Sequence, residues 1–366
     1  MKKSKFKFFR IFLNSYFLKK EPISLVHFIT NKCNARCKHC FIDFKNPDIF
    51  KNELSLKEIE KLSRNLGKSL FNINLTGGEP FLRQDIFKIA SFYLKNAKVK
   101  SLFISTNGMF TEKIKQFIDK FISSKIKGKL IFSISIDNFE KKHDLNRRVK
   151  GLFKNAIKTY KMIEKFNKKN IMCNIGITVT HHNYNNVLEL YDSLKKQRIK
   201  SFTATIMREE GIVKNIKSEK KKKILKAYSE LTRKIHKDQI KNKTKGFGNN
   251  IQAKLMNSKN FIMNNLIRKI YLKNRFVSYC SAGCLFGVIY ANGDIYPCEI
   301  LTNHKLGNLR DYDMDFMKLW KNKKAQNCRN FIKKTKCSCT FECAWTLNII
   351  SDFKFFPKLL INSMRF

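Results

Sequence analysis

TNKCNARCKHCFIDF, residues 30–44, sets the reading of the whole chain. Its cysteines, Cys33, Cys37 and Cys40, stand in a CxxxCxxC spacing directly after the apolar run Ile23 to Ile29, which reads as a β-strand. One loop therefore presents three thiols. A four-iron cluster held by three thiolates keeps one iron open to a ligand that is not protein, by the logic that leaves an open position in catalytic zinc sites. The residues alone also admit zinc, with His39 within the loop as a further ligand, or disulfides, or scattered core thiols.

Outward from this loop the chain alternates short β-rich runs with longer helix-periodic ones. Strands are expected at Ile23 to Ile29, Phe71 to Leu75, Ser101 to Ser105, Leu130 to Ile136, Ile171 to Val179 and Ser201 to Ile206. Helices are expected at Leu56 to Leu70, Gln84 to Asn96, Glu112 to Ser123, Leu152 to Phe166 and Tyr184 to Lys196. Such alternation predicts an α/β fold of parallel βαβ units, here a partial (β/α)6 TIM-like barrel. Chemistry in that architecture sits at the C-terminal strand ends. The unusual residues fall there: Gly77, Gly78 and Glu79 after the second strand, Ser105 and Asn107 after the third, Ser135 and Asp137 after the fourth. Paired glycines let a backbone approach a ligand closely, and a carboxylate such as Glu79 accepts hydrogen bonds from an ammonium group. Thr178, Thr180 and Arg208 end the later strands and are weaker candidates, and Cys173 reads as an inert core thiol.

Seven of the eleven cysteines lie between Cys280 and Cys343. CSAGCLFGVIYANGDIYPC reads as a hairpin turning at Asn292 and Gly293, which brings Cys280 and Cys298 together; CSCTFEC adds Cys337, Cys339 and Cys343. The expected organisation is a basic amphipathic segment (1–21), the barrel (22–215), a helical linker broken near 246–250 (216–275), a small cysteine-rich β-hairpin and helical domain (276–346), and a basic aromatic tail (347–366).

Lys+Arg number 75 against 28 Asp+Glu, for a formal net charge of +47. The lysines are spread over almost every helix, which speaks for solvated faces and against a nucleic-acid-binding iron-sulfur protein, for which a clustered basic face is expected. Eleven cysteines, with no convincing secretion signal, point to the reducing cytoplasm. Both termini mix Phe and Tyr with Lys and Arg. Each suits either an interfacial helix, making a peripheral membrane contact, or a helix packed on the barrel.

Taken together, these segments resemble the signature of the radical S-adenosylmethionine (SAM) superfamily, and 280–344 resembles its SPASM or twitch extension, marked by Cys280, Gly293 and Cys298. The resemblance implies a 4Fe-4S cluster on Cys33, Cys37 and Cys40, with SAM on the fourth iron. It implies contacts to the cofactor from Gly77, Gly78, Glu79, Ser105, Asn107, Ser135, Asp137 and Arg147, with Arg148 one position away, and His39 beside the cluster near the adenine. One auxiliary 4Fe-4S cluster is implied on four among Cys280, Cys298, Cys337, Cys339 and Cys343, with Cys284 and Cys328 as spares and zinc as the alternative there. The implied activity is reductive cleavage of SAM to a 5'-deoxyadenosyl radical that abstracts hydrogen from substrate. Its electron donor would be a flavodoxin or ferredoxin. The SPASM likeness favours a peptide or protein substrate. The short segment before the first strand is expected to leave no room for a separate leader-binding domain, which keeps a small molecule, sugar or lipid-linked substrate as the alternative.

Overall fold

The computed structural model describes residues 2–209, 216–248, 250–273 and 276–366. Strands β1 (Ser24–Thr30), β2 (Asn72–Gly77), β3 (Ser101–Thr106), β4 (Lys129–Ser135), β5 (Ile171–Val179) and β6 (Phe202–Ile206) pair in parallel, in chain order. Between and beyond them run α1 (Lys2–Leu13), α2 (Leu56–Arg64), α3 (Ile86–Lys95), α4 (Thr111–Ser123), α5 (Glu140–Arg147), α6 (Leu152–Lys165), α7 (Val187–Lys196), α8 (Ser218–Ile240) and α9 (Ile251–Lys273). This is the partial barrel that the alternation predicts.

The cysteine-rich region does not form a layer of its own. Its hairpin, β7 (Phe286–Ile289) and β8 (Asp294–Tyr296), and the short β9 (Gly307–Asn308) extend the barrel sheet, in the order β6-β5-β4-β3-β2-β1-β7-β8-β9. β7 lies parallel to β1, from Ser24 opposite Phe286 to His27 opposite Ile289. The burial patterns explain the join. β1 is buried at six of seven positions and β7 at all four, as befits strands covered on both faces. Pairing with β7 also removes the open edge that β1 would otherwise present.

Helices α10 (Phe316–Trp320), α11 (Lys323–Lys334), α12 (Glu342–Ile350) and α13 (Phe356–Ser363) complete the chain. Trp320 is fully buried and stacks on Phe316 at 5.1 Å. Its ring lies against the β7 backbone, where a Cβ added at Gly287 would come within 2.7 Å of it.

Local details go beyond the expected pattern. α2 stops at Arg64, short of Leu70, because the chain turns through Gly67 at φ +82. α5, EKKHDLNR, has no apolar stripe from which periodicity would find it. The linker region expected to be helical begins with α8. This helix packs against β6 and α7, where the Tyr191 hydroxyl donates to Asp238 at 2.8 Å. Lys220, Lys222 and Lys223 on α8 are exposed, as a solvated face requires. Among the described residues no helix is long and apolar enough to cross a membrane.

Replacing Gly287 by Ala is expected to force a methyl into the buried Trp320 ring and to cost about 1–3 kcal/mol. A lower urea midpoint checks this.

Candidate active site

β1 ends in a bulge, where the register with β2 shifts between Phe28 and Thr30, and the chain then enters the cysteine loop. Backbone hydrogen bonds hold this loop from two sides. Gly78 N donates to Thr30 O and Glu79 N to Lys32 O, each at 2.9 Å; Arg36 N donates to Arg147 O and Lys38 N to Asn146 O, each at 3.0 Å. The first pair needs the double glycine. A Cβ on Gly77, which sits at φ +128, would stand 2.0 Å from Thr30 O, and one on Gly78 would stand 2.2 Å from Lys32 O. The close approach expected of these glycines is therefore first to the cysteine loop itself.

The loop faces a cavity of about 370 Å³ at the C-terminal ends of the strands. Cys33, Cys37, Cys40 and His39 form its floor. Gly77, Gly78, Ser105, Asn107, Ser135 and Arg147 line it as expected, as does Thr178. Arg148 is exposed, in left-handed conformation, whereas Arg147 lines the cavity. Burial pushes the Cys33 thiol up to about 12 and Cys40 to about 11, and raises Cys37. Metal binding would have to displace those protons.

Two expected cofactor contacts turn inward instead. Glu79 is fully buried and accepts from Phe81 N, Thr106 Oγ1 and Asn107 N at 3.1, 2.8 and 2.7 Å. Its carboxylate is thus occupied in tying the end of β2 to the end of β3. Burial, opposed by those bonds, raises its pKa to about 7. Asp137 is 1% exposed and accepts from both Nε and a terminal nitrogen of Arg147 and from Thr178 N. Burial alone would raise its pKa, but Arg147, His39 and His143 overcome this and hold it at about 2. Both carboxylates position cavity residues and do not face the cavity. His39 Nε2 lies 3.5 Å from Asp137, and its buried Nδ1 has no hydrogen-bond partner.

The opposite wall was not foreseen in full. Arg208, a weak candidate, pairs with Glu299 at 2.8 Å and lies over the rings of Phe41 and Phe341. Glu299 and Glu342 join it, Glu342 accepting from Ile206 N at 3.3 Å, with burial raising its pKa to about 7. Each follows or precedes a cysteine, Cys298 and Cys343, and that adjacency was the available signal. Thr180 is buried, its NH held by Asn183.

The C-terminal thiols separate into groups. Negative charge on Cys339, Cys298 or Cys337 opposes ionisation of Cys280, and Cys298 and Cys339 are each opposed by Cys337, so these four lie together. Cys343 has a further setting. It lines the cavity, and its neighbours are Glu299, Glu342, Arg208 and Lys259. Cys328 neighbours Cys284, with Arg329 beside both, and Cys173 is buried in β5. Among the described residues no three His, Cys, Asp or Glu side chains converge on a single-ion site. It is the donor sets, three thiols of one loop and four in the C-terminal group, that fit iron-sulfur clusters.

The family profile of the Radical SAM superfamily matches residues 28–207, and that of SPASM, described as an iron-sulfur cluster-binding domain, matches 280–344. The chain belongs to the radical SAM superfamily. Its barrel is the site of that superfamily's 4Fe-4S cluster and SAM, and the SPASM region that of auxiliary iron-sulfur binding. In sequence the chain is 28% identical over 183 residues to Fe-coproporphyrin III synthase of Methanosarcina barkeri, a match spanning 49% of this chain and 42% of that one. In structure it resembles Streptococcus suis SuiB bound to precursor peptide SuiA (TM-score 0.58, 19% identity, 90% of this chain and 71% of that one). It likewise resembles anSMEcpe with bound AdoMet and Kp18Cys peptide (TM-score 0.59, 18% identity, 94% and 100%). At these identities the structural likeness establishes the fold.

Asp137→Asn is expected to leave Arg147 buried without its counter-charge, at a cost of about 3–5 kcal/mol at neutral pH. Because the native pKa lies below the unfolded value, the ion pair contributes fully at neutral pH. The gap between variant and wild type should then narrow as pH falls from about 4 to about 2. Urea titrations across that range check both statements.

Proposed function

We propose that this protein reductively cleaves SAM at a 4Fe-4S cluster on Cys33, Cys37 and Cys40 and modifies a peptide or protein substrate in the cytoplasm. The observation that carries the proposal is the shared cavity, with three thiols of one loop on its floor and residues of the SPASM region, Glu299 and Phe341 to Cys343, on its far wall. When bound, the cluster and SAM supply a 5'-deoxyadenosyl radical able to take a hydrogen atom from substrate.

The chain's own residues do the positioning. The glycine-backed loop holds the three thiols in register. Ser105, Asn107 and Ser135 offer polar groups for the ribose and methionine parts of the cofactor, Arg147 a cation for its carboxylate, and His39 a ring beside the adenine. Arg208, Glu299 and Glu342 form the substrate side. The auxiliary cluster would be held by Cys280, Cys298, Cys337 and Cys339, leaving Cys343 to the cavity.

Support for a peptide comes from the two structural neighbours with peptide bound, each alike across both regions of this chain. The coproporphyrin synthase match, which falls short of half of either chain, favours a small-molecule substrate as the second reading. If the substrate is a peptide, deuterium from a perdeuterated peptide pool should appear in 5'-deoxyadenosine. Label arriving only from small-molecule pools would favour the second reading.

Electrons would enter from outside. A groove of about 450 Å³ shares Cys37 and Phe44 with the cavity and is rimmed by Arg36, Lys38, Lys45 and Arg148, against one acid, Asp43. An acidic flavodoxin or ferredoxin fits this rim. Reversing Lys38, Lys45 and Arg148 to Glu should weaken flavodoxin binding at least tenfold and leave dithionite-driven SAM cleavage intact.

Iron counting tests the ligand sets. Reconstituted wild type should hold about eight irons, Cys339→Ala about four, and Cys343→Ala about eight.

A further inference from the structure

The two aromatic, basic termini, far apart in sequence, meet in space. Tyr16 and Phe353 have ring centroids 4.3 Å apart, Phe17 lies 6.0 Å from Phe353, and Phe12 packs on Tyr16 and Phe17 at 5.1 and 6.1 Å. This cluster is open to solvent: Phe12, Phe17 and Phe353 are 46%, 62% and 54% exposed. From Phe356 the exposed face continues along α13 through Leu360, Ile361 and Met364, while Phe355 and Leu359 on the same segment turn inward to the core. Single exposed apolar residues need no explanation, but a contiguous aromatic group does.

The display is rigid. α1 closes in a wide π-turn, Asn14–Leu18, whose buried Asn14 accepts from Lys20 N and Glu21 N and donates to Glu21 O. Arg10 is held by Glu21. Thus one face of α1 is fixed to the protein, and Phe12 and Phe17 are held outward. Around the cluster the charge is one-sided. Lys19, Lys20, Lys354 and Lys358 adjoin its residues in sequence, with Lys354 also donating to Val277 O, while Glu21 is spent on Arg10 and Asp352 on Ser278 and Lys354 N.

We propose that this face docks on an anionic lipid bilayer, with Phe12, Phe17 and Phe353 entering the interface and the flanking lysines meeting the headgroups. A rigid aromatic ridge bordered by basic residues is complementary to that surface. The placement bears on substrate entry. α1 packs at the N-terminal ends of the strands, where Phe8 meets Phe71 and Lys7 Nζ donates to Lys98 O at 2.7 Å. The cavity lies at the other end. A docked molecule therefore keeps its mouth toward the aqueous side, so an interfacial α1 does not favour a lipid-linked substrate.

The test is co-sedimentation of the full chain with vesicles of phosphatidylcholine alone and of phosphatidylcholine with 30% phosphatidylglycerol. Binding is expected to the anionic vesicles, falling at least tenfold in a Phe12→Glu, Phe17→Glu, Phe353→Glu variant and at least threefold in Phe17→Glu alone, with unchanged circular dichroism. Binding that is absent overturns the proposal, as does binding that the variants leave unchanged, which would mark charge attraction without insertion. A concentration-dependent wild-type dimer that the triple variant abolishes would assign the face to a second copy and also overturn it. None of these readouts needs the clusters.

Discussion

Everything in the site depends on how the cysteine loop is held. Its thiols have no regular secondary structure beneath them, and four backbone hydrogen bonds, two from Gly78 and Glu79 and two to Asn146 and Arg147, take that place. Both sets require the main chain of one segment to pass very close to another. At Gly77 and Gly78 only the absence of a Cβ permits it. Glu79 then carries the same constraint sideways to β3, and Arg147, anchored by Asp137, carries it to the end of β4. Cavity residues from three strands are thus set by reference to one loop.

The second constraint is the pairing of β7 with β1. It makes the cysteine-rich region an extension of the barrel sheet, and so places Cys298 and Glu299, just beyond β8, near the far wall of the cavity. The wall is completed by the start of α12, whose Glu342 and Cys343 face the same space. A substrate there would lie between two thiol groups, one of three and one of four. Radical chemistry needs water excluded and the reacting carbon held still, and a mouth closed by a second region serves both ends.

Much of this was legible in the residues. Strand positions followed from apolar runs, and the polar segments at their ends, such as Ser105 to Gly108, lie where barrel logic puts them. Two kinds of information were not local. Side-chain direction was one: Glu79 and Asp137 sit in the expected segments but spend their carboxylates on neighbouring elements, which spacing does not reveal. Long-range pairing was the other. Nothing in FGVI says that it joins β1, and nothing in CSCTFEC says that Glu342 and Cys343 line the cavity. α5 escaped notice because its eight residues carry charge where periodicity looks for apolar side chains.

The central claim is that the loop of Cys33, Cys37 and Cys40 serves SAM cleavage. It is tested most directly by anaerobic reconstitution, addition of SAM and dithionite, and chromatographic measurement of 5'-deoxyadenosine. The account predicts that the wild type forms 5'-deoxyadenosine and methionine, and that Cys37→Ala, with its auxiliary iron retained, forms neither. A fully iron-loaded wild type that yields no 5'-deoxyadenosine, with or without a peptide pool, would contradict it.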